Sequence, residues 1–183
     1  MKMLQYTLRA AAAVCFAFFM SSASCDLFNK VDEVTFEAKL PLEFVINETA
    51  VNTGSKSYTY SKTLDATQNA DVAKYKDKIK KITVNKISYV ISGYAAPSPV
   101  TFTNGKLTVA SSGKTIASAT SVNLQSTAEA DLTADIAGFN ELAELLKADK
   151  SETVNLVGTF SSTPVTFKVT AYFHTTITAG VLQ

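Results

Sequence analysis

The chain has 183 residues, 46% of them hydrophobic, with 17 basic and 16 acidic side chains and a formal net charge of +1. This length and balance fit one domain of ordinary size and exclude a general affinity for nucleic acid. Arg9 is the only arginine and tryptophan is absent, so bidentate guanidinium recognition and the strongest aromatic platform for cations are both missing beyond the first residues.

Lys2 and Arg9 flank the start of an unbroken apolar run, Ala10 to Met20. The run is shorter than the roughly 20 residues that span a bilayer. With the small residues Ser21-Ser22-Ala23-Ser24 after it, it has the plan of a secretory signal peptide. Cys25 follows directly, and Cys15, the other cysteine, lies within the leader. This arrangement resembles the lipobox of bacterial lipoproteins, and the Ser-Cys-Asp start is similar to that of small Bacteroidota-type lipoproteins. Ser22 stands where the family prefers leucine. The resemblance implies that residues 1–24 are a lipoprotein signal peptide and that Cys25 becomes the lipidated N-terminus. Residues 25–33 then read as a polar tether, and residues 34–183 as a single domain. It further implies an outer-membrane lipoprotein, on the cell surface or the periplasmic face, held to the membrane through the lipid on Cys25. Asp26, Asp32 and Glu33 resemble a diffuse acidic address for the surface. A mature chain with one cysteine forms no internal disulfide.

Val34, Phe36, Ala38, Leu40, Leu42, Phe44 and Ile46 alternate with mostly polar neighbours, which predicts a strand with one dry face. Pro41 falls on the polar phase and assigns this strand to a sheet edge or a bulge. Asn52-Thr53-Gly54 marks a turn into a second strand over 55–63. The spacing of Val72, Tyr75 and Ile79 predicts a short helix with Asn69 as N-cap. Next, Ile82 and Val84 hold one phase while Ile87, Tyr89 and Ile91 hold the other. The flip near Lys86 implies a bulge or a strand that changes sheets. Asn104-Gly105, between two short apolar runs, predicts a two-residue hairpin. Another strand runs over 114–125. A helix is predicted over 134–148, with Thr133 as N-cap and Ile136, Phe139, Ala143 and Leu146 as its apolar stripe, widened by Leu142 and Leu145. Strands over 153–162 and 164–177 end the chain. About eight strands and two short connecting helices predict a mainly β protein, an immunoglobulin-like or related antiparallel β-sandwich. That architecture hosts many functions and names none.

Residues that carry chemistry are sparse. His174 is the only histidine, and it shares the phase of Thr170 and Tyr172, opposite Phe173, so it is expected to face solvent. There is no Gly-x-Ser-x-Gly elbow, Cys-x-x-Cys, His-x-x-x-His, Asp-rich calcium loop or glycine-rich phosphate loop. No catalytic residue, metal or cofactor is therefore expected. Asp131 and Asp135 read as acids at a helix N-terminus. Lys56, Tyr58, Tyr60 and Lys62 share one strand face. They form either a ligand surface for a sugar ring or peptide, or a core-facing tyrosine pair with lysines that snorkel outward. Lys74, Lys78 and Lys81 fall on one helical face, which suits anionic headgroups or a partner, or is simply solvated. The function expected is a non-catalytic, membrane-anchored lipoprotein with a binding or structural role at the envelope: an accessory, adhesion or glycan-binding module. Its partners are the membrane, a glycan or another envelope protein, and no nucleic acid. Two other classes are a fimbria-like subunit assembling by strand addition and an envelope hydrolase using a carboxylate pair.

Overall fold

The computed structural model describes residues 32–181; the leader, Cys25 and the tether up to Val31 lie outside the described residues. Alternation along β1 (Glu33–Asn52), β9 (Thr163–Gly180), β3 (Ile79–Ala95) and β6 (Ala130–Asp131) builds one antiparallel sheet in that order. The second sheet runs β2 (Lys56–Asp65), β8 (Ser151–Phe160), β4 (Phe102–Val109), β5 (Thr115–Val122) and β7 (Thr133–Ala134). The two sheets pack as the expected β-sandwich. Phe44, Phe160, Phe167, Phe173, Leu40 and Ile46 are buried between them.

Pro41 sits on an edge strand, as its sequence position predicts. Val181 N donates to the Asp32 carbonyl at 3.1 Å in the same register that pairs Glu33 with Gly180. Even-numbered residues of β1 therefore bond to β9, and odd-numbered residues turn their amides outward. Pro41 thus lacks its N–H where no ladder bond is lost.

The phase flip near Lys86 is a bulge: β3 stays in its sheet, and its register against β9 shifts between Val84 and Lys86. Asn104-Gly105 is not a hairpin. β4 runs straight through it, with Asn104 at φ 53° and one extra residue against β8 between Thr103 and Lys106. A left-handed Asn serves a bulge as well as a turn. What decides here is the Phe102 ring, which lies against Gly105 and Gly158.

The first helix is shorter than predicted. Asn69 accepts from Asp71 N (3.1 Å) and Val72 N (3.2 Å) and opens α1 (Ala70–Tyr75), but a 3₁₀ turn over Lys76–Lys78 follows and Ile79 already belongs to β3. The second helix, α2 (Ile136–Asp149), is capped by Asp135, not Thr133: the Asp135 carboxylate accepts from Gly138 N at 3.0 Å. Thr133 pairs with Ser118 in β7. Ile136 is 68% exposed and lies off the apolar stripe of Phe139, Leu142, Ala143 and Leu146.

Gly138 lets the first turn of α2 press on β5; a Cβ there would lie 1.9 Å from the Thr115 carbonyl oxygen. We expect Gly138→Ala to lower stability by about 1–3 kcal/mol through overpacking against backbone, while Ile136→Ala changes it by less than about 0.5 kcal/mol. Denaturant melts of the two variants measure the contrast.

Candidate functional site

The four β2 residues divide between core and rim. Tyr58 packs on Phe160 with ring centroids 5.2 Å apart and stacks on Tyr60 at 6.4 Å. Tyr60 Oη donates to Glu48 Oε1 at 2.6 Å, joining the edge of one sheet to the edge of the other. Burial first, then the bond to Glu48, push the Tyr60 phenol well above its ordinary range. Lys56 holds its ammonium 5.4 Å from the Tyr58 ring centroid, and Lys62 is exposed. This ladder closes the sandwich rim, with the lysines outward and the tyrosines half-buried.

Lys74, Lys78 and Lys81 do not share a helical face. Lys74 lies on α1, Lys78 in the 3₁₀ turn and Lys81 in β3. They do gather at one end of the domain. Lys78 Nζ donates to the Val181 carbonyl at 3.0 Å, Lys80 pairs with Glu33 at 2.8 Å, and Lys81 is in register with Thr178. The Tyr75 ring lies 5.5 Å from the Phe36 ring at the same end. This is the end at which the chain enters β1.

A third place emerges only from the fold. His174 does point outward from the first sheet, but its side chain is only 27% exposed. Register sets Lys39 of β1 on one side of it and Lys86 of β3 on the other. The bulge in β3 turns the sequence neighbours Asn85 and Lys86 to the same face. Together with Glu37, Lys39, His174 and Thr175 they line a groove of about 370 Å³. The segment from β5 to β6 folds over its margin. Glu129 takes a hydrogen bond from the buried Ser88 hydroxyl and lies 3.3 Å from Lys39 Nζ, and Asp131 pairs with Lys86 at 3.1 Å. Lys39 also stands 3.9 Å over the Tyr172 ring.

Ser88, His174 and Glu129 together do not make a triad. Ser88 Oγ has one proton, which goes to Glu129, so the 2.9 Å contact with His174 Nε2 needs the imidazole as donor. A catalytic histidine would take the serine proton instead, and this serine is fully buried. The Ser88 hydrogen bond first, and then Lys39, hold the Glu129 carboxyl below its usual range. Burial first, then the charges of Lys39 and Lys86, push the His174 imidazole below its ordinary value, against the pull of Glu129 and Asp131. The cluster is one imidazole, held toward its neutral form, among paired charges. The sequence signal that could have found it is the phase flip at Lys86; the pairing with Glu129 depends on a loop with no periodicity.

Because the folded state holds His174 below its unfolded pKa of about 6.5, the unfolded chain binds the proton first. The contribution is present above about pH 6.5 and is lost as pH falls through the depressed folded value. Melting temperatures taken downward from pH 8 should begin to drop below about pH 6.5 in the wild type. His174→Gln should flatten that first part of the decline, since no other histidine is present.

No family model matches the chain, and no curated protein matches its sequence. Among solved structures it is similar to Desmodium yellow mottle tymovirus, at 13% identity and a TM-score of 0.40, covering 82% of this chain and 91% of that one. Tobacco necrosis virus follows at 11% and 0.39, covering 82% and 98%. The decameric BFDV capsid protein follows at 11% and 0.40, covering 79% and 98%. Likeness at this level carries no argument about function.

Proposed function

We propose that this chain is a lipid-anchored, non-catalytic protein of the bacterial envelope, acylated at Cys25, whose sandwich presents a binding surface to a glycan or another envelope protein. The observation that supports it is the meeting of Glu33, Val181, Lys78 and Lys80 at one end of the domain. The stretch from Asp26 to Asp32 reaches at most about 25 Å when fully extended, so an anchor at Cys25 holds that end near the bilayer. Lysines there gain about 1 kcal/mol each from anionic headgroups within a Debye length. Asp26, Asp32 and Glu33 agree with an address on the cell surface.

The hydrolase reading has less support. A general acid needs a carboxyl whose pKa is raised, and at the groove Glu129 is held low. Strand addition has one observation in its favour, the outward amides of β1. Pro41 interrupts that row at its centre.

The test is labelling with palmitate in cells that export the protein. Wild type should take up label and fractionate with membranes, and Cys25→Ser should lose the label and become soluble. An unlabelled wild type, or Cys25→Ser still in the membrane fraction, would overturn the anchor.

A further inference from the structure

We propose that the groove over His174 is a binding site for a carboxylated sugar, a uronic acid unit, and that Glu129 is its internal competitor. This deepens the reading of the domain as an envelope binding module and rests on it. The groove's volume of about 370 Å³ lies in the range of small-ligand sites, roughly 300–1,000 Å³. Its lysines, histidine and amide suit an acidic, hydroxylated ring. Lys39 and Lys86 stand on opposite walls with His174 between them, and among the described residues Glu37 is the only acid on the lining. Asn85 donates from Nδ2 to Thr176 Oγ1 at 2.8 Å, which leaves its carbonyl oxygen free to accept from a sugar hydroxyl.

Glu129 already shows what the cluster holds. One carboxylate takes the Ser88 hydroxyl, lies beside Lys39 Nζ at 3.3 and 3.5 Å, and approaches His174 Nε2 at 3.8 Å. It enters from a loop margin, and the Lys39 and Glu129 side chains are 45% and 42% exposed. Ion pairs that exposed are worth at most about 1 kcal/mol, so an incoming carboxylate can compete for Lys39 and Lys86 without breaking the fold.

The sole histidine makes the test direct, because its ring resonances report this groove alone. The protein is titrated with sodium galacturonate, with galactose and with sodium phosphate while the His174 ring signals are followed by NMR. Galacturonate should shift them saturably. Lys39→Gln and Lys86→Gln should each weaken binding about fivefold, the size of one partly exposed ion pair. Glu129→Gln, which removes the competing charge, should tighten it by a similar factor. No saturable shift, an equal response to galactose, or affinities indifferent to Lys39→Gln and Glu129→Gln would each overturn the proposal. A response to phosphate as strong as to galacturonate would make this a site for anions at large and overturn the sugar assignment. These side chains are exposed, and melting temperatures of the variants report that the fold is kept. Failure here with Cys25 still palmitoylated removes the groove and leaves the anchor; loss of palmitoylation with galacturonate still bound does the reverse.

Discussion

β9 lies between β1 and β3, paired with one strand over its whole length and with the other over most of it. Its odd-numbered residues, Val165 to Ala179, face the core, and its even-numbered residues face solvent. A slip of one residue would exchange the two sets. Phe167 and Phe173, each worth about 1.5–3 kcal/mol when buried, would go to water, and Lys168 and His174 would enter the core. The phase of this strand therefore decides which of its residues reach the outer face. In the register that buries the phenylalanines, Thr35 meets Thr178, Asn47 meets Thr166, Glu43 meets Lys168, and Lys39 meets His174.

β3 follows the same rule by adjustment. Its register against β9 shifts three times, between Ile79 and Lys81, Val84 and Lys86, and Ser92 and Ala95. Each shift spends one residue to keep the following ones in phase. The middle shift is the one with chemical consequence, since it sets two polar neighbours side by side where a regular strand would send one inward. The two rims of the sandwich are closed by unlike means. At one, the Tyr60 phenol reaches Glu48 across the sheets. At the other, the chain passes from β5 to β6 in the first sheet and back to β7 in the second, with Leu132 N bonded to the Ile87 carbonyl at 2.9 Å, before α2 seals the side.

What was legible in the sequence was what local alternation controls. The strands, the edge position of Pro41, the Asn69 cap and the irregularity at Lys86 all follow from neighbours a few residues apart. Asn104-Gly105 was legible only as a left-handed residue, because turn and bulge ask the same of the backbone; the Phe102 ring and Gly158, from a distant strand, choose between them. The helix N-cap moved from Thr133 to Asp135 because the two-residue pairing of β7 claims Thr133 first. The spacing of Lys74, Lys78 and Lys81 suits a helical face, but the helix stops too early for that, and the three lie on separate elements. The environment of His174 was out of reach, since Lys39, Ser88, Glu129 and His174 come together only through sheet register and a strap without periodicity.

Ser88 and Glu129 divide the work of holding that strap. Ser88 is fully buried, so its one hydroxyl proton depends on Glu129 as acceptor, and His174 adds a second contact at its oxygen. Losing Glu129 leaves that buried donor unpaired and costs its desolvation. The ion pairs of Lys39 with Glu129 and Lys86 with Asp131 are half-exposed, and water replaces each partner at little cost. The position of the strap is thus set by a neutral hydroxyl inside the sheet face, while the charges around it remain exchangeable. A cluster built this way keeps Glu129 on Ser88 while the half-exposed lysines Lys39 and Lys86 can exchange their carboxylate partners.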